Sequence, residues 1–433
     1  MLSTQSVECY PHAAPGATNI IQNRSTQAKK ENYMKILHTA DWHLGHRLHE
    51  QSQFEEQTLF LTWIENYITE EKIDVLLISG DIFDTNAPSN QSLEMYYNFL
   101  MKLKNTSCQS IVITGGNHDS PGTLNAPRHV LNALNIKVVG KATENIEDEV
   151  FEIDIIDEKV IVGAVPYLRD GDIRKAVAGE SFEDLTDKYK QALINHYNKS
   201  AEHCELINTT NAPVVGMGHL FATGGSVSDS EQNIYVGSLG HIGAEDFPKY
   251  FDYIALGHLH RPQIIGGNEK VRYSGSPNIL SFSEIKYDKK IIVLTIENNE
   301  ISTINDVLVP CFRNFYKIEG TVQECIEKFP DLISNEHELT PWVELALTQE
   351  HNINTDEIKK AAEPYPFEIL KTGLKNQRRL RGIEELLEET KSIKELLPTE
   401  VFKLKCKEIG YDLEENPAIE DAFNEILQSV KNQ

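Results

Sequence analysis

Five times between Met34 and Glu284 an apolar run breaks off into a short loop of Asp, Asn and His. MKILHT leads to Asp41 and His43, VLLISG to Asp81 and Asp84, and SIVITGG to Asn117, His118 and Asp119. VVGMG then leads to His219, and YIALG to His258 and His260. Glycine stands directly before the polar residue in four of the five (Gly80, Gly116, Gly218, Gly257), where a missing side chain permits a sharp turn and close approach. Continuous apolar runs of this length suit strands buried on both faces. In α/β sheets, ligand sites collect outside the carboxyl ends of such strands. Five loops of this kind can therefore meet at one point.

The intervening segments are helical in pattern. FEEQTLFLTWIENYITEE places Leu59, Phe60, Trp63, Ile64, Tyr67 and Ile68 on one helical face, and SLEMYYNFLMKLK forms a second amphipathic helix. Strand, polar loop and helix in alternation predict a layered α/β domain. The acidic stretch from Glu144 to Leu168 then alternates apolar and polar residues, as half-solvated antiparallel strands do. Further strands are expected at PVVGMGHL, FDYIALGHLH, VRYSGSP and KIIVLTIE, so the first folded domain is read as 34–306. Strands at NFYKIEG, WVELALT and FEILKTG alternate with helices near Val322–Phe329 and Asp356–Ala362, giving a small α+β domain over 307–377. A helical tail spans 378–433, in which Asn416 and Pro417 suit a helix start and Ile419, Phe423, Ile426, Leu427 and Val430 form one stripe. Residues 1–33 lack an apolar signal-type core and read as a disordered extension or an over-long start.

Composition narrows the function classes. A chain of 433 residues is too long for one ordinary core. Its six cysteines are scattered without a CxxC pair, which suits a reducing, cytoplasmic setting and not a disulfide framework. No run approaches the roughly 20 apolar residues of a membrane span. Lys and Arg number 41 against 66 Asp and Glu, a formal charge of −25. That acidity counts against nucleic-acid binding unless a local patch or bound cations reverse the sign.

The ligand types favour bound cations. Asp41, His43, Asp81, Asn117, His219, His258 and His260 offer carboxylate, imidazole and amide without thiolate. Such a set suits Mn²⁺, Fe²⁺ or Zn²⁺ in near-octahedral coordination. Seven candidates exceed the needs of one ion, whereas two ions sharing a carboxylate fit them, and such pairs clamp the oxygens of a displacement at phosphorus. Each motif alone has an ordinary explanation as a turn, a helix cap or a surface pair. Their ordered recurrence at strand ends does not. His12, His38, His46, His49, His129, His196, His203, His241, His337 and His351 are read as ordinary histidines.

DxH, GDxxD, GNHD, GH and GHxH in this order resemble the motif set of the calcineurin-like metallophosphoesterase superfamily. Within it, MKILHTADWHLGHRL, LLISGDIFDTNAPS, GGNHDSPGTLNAPR and FDYIALGHLHRPQ resemble the SbcD family of bacterial nuclease subunits, strongly over residues 34–284 and more weakly beyond. The resemblance implies a layered metallophosphoesterase β-sandwich flanked by helices, with an α+β capping domain and a tail that docks on an ATPase. It assigns Asp41, His43 and His260 to one ion, Asn117, His219 and His258 to the other, and Asp81 to both. It makes His118 catalytic without a metal bond, with Asp84 orienting it. It further implies two Mn²⁺ ions and a DNA exo- and endonuclease acting at double-strand ends and hairpins. The partner implied is an SbcC-type coiled-coil ATPase, with a homodimer of the chain in a heterotetramer. The basic run KTGLKNQRRLRG, with Arg378, Arg379 and Arg381, is a candidate DNA contact or a solvated helix surface. A phosphomonoesterase or cyclic-nucleotide phosphodiesterase on the same fold remains the alternative.

Overall fold

The computed structural model describes residues 5–6, 33–155, 157–174, 182–226, 242–332, 339–348 and 355–374. In chain order, β1 is Met34–Thr39, α1 Phe54–Glu70, β2 Val75–Ser79, α2 Asn90–Leu103, β3 Ser110–Thr114 and β4 Ile136–Val139. Then follow β5 Val150–Ile155, β6 Glu158–Ala164, α3 Phe182–Ile207, β7 Val214–His219, β8 Tyr253–Gly257, β9 Gln263–Ile265 and β10 Asn268–Tyr273. The last elements are β11 Lys290–Glu297, β12 Glu300–Leu308, β13 Arg313–Gly320, α4 Val322–Glu327, β14 Leu339–Leu347, α5 Thr355–Ala362 and β15 Glu368–Leu374.

Two six-stranded sheets face one another, ordered β12-β11-β1-β2-β3-β4 and β9-β10-β8-β7-β6-β5. The period-2 geometry of a strand divides each apolar run between two cores. Val75 and Leu77 of β2 join Val215, Met217 and Ala255 in the core between the sheets. Leu76 and Ile78 point the other way, into the core beneath α1 and α2. On the far sheet, Ile161, Ile254 and Leu256 pack under α3 with Tyr197 and Cys204. The result is four layers, helix–sheet–sheet–helix, which explains why β2 and β3 are buried at every residue.

The buried stripe of α1 is Phe60, Leu61, Ile64 and Ile68, with Trp63 and Tyr67 partly covered. Leu61 takes the place expected for Leu59, which is only half-buried. The hairpin β11–β12 pairs out to Lys290 with Leu308, so the strand continues past 306. Val309 still packs in the core under α1 and α2.

β1, β2, β3 and β4 run parallel, as do β6, β7, β8 and β10. The carboxyl ends of β1–β3 and of β7–β8 therefore reach the same end of the sandwich. The third sheet, β13-β14-β15, is parallel with α4 and α5 in its connections, and Gln5–Ser6 pairs antiparallel with its β13 edge. Leu48, Ile279, Phe282, Ile285, Phe315 and Trp342 join this sheet to the sandwich in a separate apolar cluster. Among the described residues, no helix is long and apolar enough to cross a membrane. The basic residues Arg378, Arg379 and Arg381 and the stripe Ile419–Val430 lie outside the described residues, as does all of 378–433.

Candidate metal centre and active site

The strand ends meet. Asp41, His43 and His260 each bring a ligand atom within 4.8 Å of the others, and so do Asp81, His219 and His258. A third such group is His43, Asp81 and His118, so Asp81 belongs to both sides. Asn117 joins through Oδ1, 2.9 Å from His219 Nε2 and 2.9 Å from His258 Nδ1. All seven expected ligands and His118 are thus collected at one end of the sandwich. Asp41, His43, Asp81, His219, His258 and His260 are buried, whereas Asn117 and His118 are half-buried.

The backbone is bent sharply to achieve this. Asp41 (φ 55°), His43 (φ 45°), Asp81 (φ 49°) and His258 (φ 106°) all lie in the left-handed region, rare for residues with a side chain. Strain of this kind costs of order 1–3 kcal/mol per residue and persists only where the surroundings hold it. The holding contacts are hydrogen bonds between loops: Asp41 N–H to Gly80 O (3.0 Å), His43 N–H to Asp81 O (3.0 Å) and His258 N–H to Asp41 Oδ1 (2.8 Å). The Asp119 carboxylate accepts from the N–H groups of Gly116 (2.8 Å), Ile82 (3.1 Å) and Phe83 (3.0 Å), tying the second loop to the third. Gly116 is required there, since a Cβ would stand 2.1 Å from Asp81 Oδ1.

Several of these buried atoms make no hydrogen bond of good geometry, although Asp84 Oδ1 lies 3.3 Å from His43 Nδ1 and Asp81 Oδ2 3.6 Å from its Nε2. Asp41 Oδ2 and both ring nitrogens of His43 make no hydrogen bond. Orphaned buried groups are costly unless something else meets them. Elsewhere the hydrogen bonds select which atoms face inward. His219 Nδ1 lies 2.9 Å from the Ser79 carbonyl, which can only accept, so Nδ1 carries the proton and Nε2 presents its lone pair to Asn117 Oδ1 and Asp81 Oδ2 (3.2 Å). A lone pair, an amide oxygen and a carboxylate oxygen facing one another repel unless a cation or an added proton sits among them. The donor set fits divalent cations, and the two clusters flanking Asp81 would each hold one.

The charge balance of the protein groups alone gives the same picture. Burial raises the Asp41 pKa to about 7, against the pull of His219 and His260. Burial lowers His43 to about 4 and His258 to about 3. Burial opposes protonation of His219, yet the Asp81 carboxylate outweighs it and holds that pKa at about 9. Burial would raise Asp81, but His219, His43 and His118 bring it well below the usual range. Without added positive charge, a proton on His219 must do part of the work of a cation.

Residues 34–262 match the family of calcineurin-like phosphoesterases. Residues 311–409 match a second family, SbcD_C, described as the type 5 capsule protein repressor C-terminal domain. The SbcD protein of the nuclease SbcCD in Escherichia coli strain K12 is 31% identical over 401 residues, 92% of this chain and 98% of its own length. The chain belongs to the SbcD family. Its counterpart in Bacillus subtilis strain 168 is 30% identical over 340 residues, 77% of this chain and 84% of that protein. The one in Rhodobacter capsulatus is 34% identical over 274 residues, 61% of this chain and 66% of that protein. As a member of the SbcD family and a phosphoesterase, the chain is a metal-dependent phosphodiesterase.

The expected pairing of Asp84 with His118 runs through the main chain. His118 Nδ1 is held by the backbone carbonyl of Asp84, at 2.7 Å, and not by its carboxylate. That carboxylate turns instead to His46 Nδ1 (2.7 Å) and lies 3.3 Å from His43 Nδ1. Asp84 therefore orients His118 through its main chain and steadies His43 and His46 through its side chain. Burial acts to raise the Asp84 pKa, but these two imidazoles bring it well below the usual carboxylate range. His46, read from sequence as ordinary, belongs beside the site, with Nε2 on the Leu280 carbonyl (3.1 Å). His38 is the opposite case, a core histidine bonded to Tyr253 Oη (3.0 Å) and the Leu256 carbonyl (3.2 Å). Gln57, on α1, donates to the His43 carbonyl (2.8 Å) and accepts from Gly45 N–H (3.0 Å).

Proposed function

We propose that the chain is the nuclease component of an SbcCD-type complex. In this reading it is a cytoplasmic, manganese-dependent enzyme that hydrolyses phosphodiester bonds of double-stranded DNA. It acts as exonuclease and endonuclease at ends and hairpins. Its partner is a coiled-coil ATPase of SbcC type, and two copies of the chain join the heterotetramer. The observation that carries the reading is the pair of ligand clusters sharing Asp81 with His118 alongside. The names of the relatives supply the nucleic-acid substrate and the partner.

Asp41, His43 and His260 would hold one Mn²⁺, Asn117, His219 and His258 the other, and Asp81 both. Bound there, the ions supply Lewis-acid stabilisation at phosphorus and a lowered pKa for the attacking water, and they bring about four positive charges to an acidic chain. The protein does the rest. Half-buried His118 has Nδ1–H committed to the Asp84 carbonyl, so Nε2 is the nitrogen that meets the substrate. As an imidazolium it donates to a phosphoryl or leaving oxygen, where such groups contribute of order 10²–10³ in rate. The third sheet, seated beside the site, acts as a cap that selects DNA, and 378–433 docks on the ATPase.

The test is cleavage of end-labelled duplex and hairpin DNA with Mn²⁺ and the ATPase partner. Wild type cleaves both, and His118→Ala loses about 10²–10³-fold in kcat while binding the same number of Mn²⁺ ions. Turnover confined to small aryl phosphates or cyclic nucleotides, with the partner present, would contradict the reading and establish the small-molecule alternative.

A further inference from the structure

The segment from Ser276 to Lys289 lies against His260 and His46. Glu284 is wholly buried within it. Its Oε1 lies 3.3 Å from His260 Nδ1. Its Oε2 accepts from Lys289 Nζ (2.7 Å) and from the Leu280 N–H (3.0 Å). Lys289 Nζ also reaches Ser276 Oγ (2.7 Å) and the His260 carbonyl (3.4 Å), so it braces both the carboxylate and the backbone of the histidine. With two donors fixed on Oε2, Glu284 is left as an acceptor toward the ring. Nδ1 of His260 then bears the proton, and Nε2 is the nitrogen directed to the cluster with Asp41 and His43.

From this arrangement we propose that Glu284, braced by Lys289, is the positioning residue that sets the tautomer and ring angle of His260 and so tunes one half-site alone. The proposal rests on the two-cation reading given above. In the other cluster the group at hydrogen-bond distance behind His219 Nδ1 is the Ser79 carbonyl (2.9 Å), and the nearest carboxylate on that side, Asp41, stands off at 3.9 Å. The two half-sites are therefore supported differently: a lysine-braced carboxylate stands behind His260, and a backbone carbonyl behind His219. A carboxylate behind an imidazole raises its basicity as a ligand, and loss of such a partner costs about 10–100-fold in metal affinity.

The test is calorimetric titration of the metal-free full chain with Mn²⁺. Wild type is expected to take up two ions in resolvable steps. Glu284→Gln combined with Lys289→Met keeps volume and leaves no buried charge unpaired. It should weaken one step by about 10–100-fold and leave the other unchanged, and the weakened step should be the one that His260→Asn abolishes. Glu284→Asp, which keeps the charge, should recover part of the loss. Two steps at wild-type affinity in the double variant would overturn the proposal, as would equal weakening of both. Absence of two-ion uptake by wild type would instead defeat the functional reading itself.

Discussion

At the scale of single residues, the same side-chain type serves opposite ends according to what surrounds it. His219 and His38 are both fully buried and both bonded to a backbone carbonyl. His219 faces two carboxylates, Asp81 and Asp41, and its pKa is raised to about 9. Among the described residues no carboxylate pairs with His38, and burial lowers its pKa from 6.5 to about 3. The unfolded chain therefore takes up a proton at His38 between those values while the folded chain does not. Stability contributed by neutral His38 is present above pH 6.5 and is lost as pH falls toward 3. Urea unfolding between pH 6.5 and pH 4 should show a slope steeper for wild type than for His38→Gln, by up to about 1.4 kcal/mol per pH unit. Equal slopes would mean that His38 is protonated in the fold. The seven ligand candidates were legible from sequence because each follows an apolar run and most follow a glycine. His46, Gln57 and Glu284 were not, because they act through partners outside their own local pattern: Leu280, the His43 carbonyl and His260.

At the scale of elements, the strands could be read because burial on both faces leaves a continuous apolar run. The helix α3 was not anticipated, although Leu193, Tyr197, Ala201 and Cys204 form its buried stripe. Its apolar positions are interleaved with Lys, Asn, Glu and His, so the 3.6-residue period is faint until the sheet beneath is known. The turns at strand ends carry the demanding geometry. At Gly257 an added Cβ would stand 1.9 Å from the Ser79 carbonyl oxygen and 2.9 Å from His219 Nδ1. Neither neighbour can yield without moving β2 or the His219–Ser79 hydrogen bond. Gly257→Ala should cost about 1–3 kcal/mol in urea unfolding and impair Mn²⁺ binding. Gly171→Ala, where nothing lies within 4 Å, should change stability by no more than about 0.5 kcal/mol. Equal small effects at both positions would show that the two sheets are not packed as closely as described.

At the scale of the whole molecule, the two facing sheets and the third sheet are joined by polar as well as apolar contacts. Ser79 Oγ donates to the Ala255 carbonyl (2.9 Å), linking the two sheets immediately below the site. Arg313, almost wholly buried, bonds Glu56 of α1 and the Thr340 carbonyl and stacks over Trp342 at 4.1 Å. Phe282, on the segment that carries Glu284, packs edge-on against Phe315 of the third sheet, which meets Trp342 in turn. The same segment thus touches His260 through Glu284 and the third sheet through Phe282, a link that no local pattern in the sequence reveals. All of this architecture serves the meeting of five strand ends around Asp81. The most direct test is anomalous diffraction at the manganese edge from crystals soaked in Mn²⁺. Two peaks about 3.5–4 Å apart, one on each side of Asp81, are predicted. A single peak, or two peaks that do not share Asp81, would contradict the account.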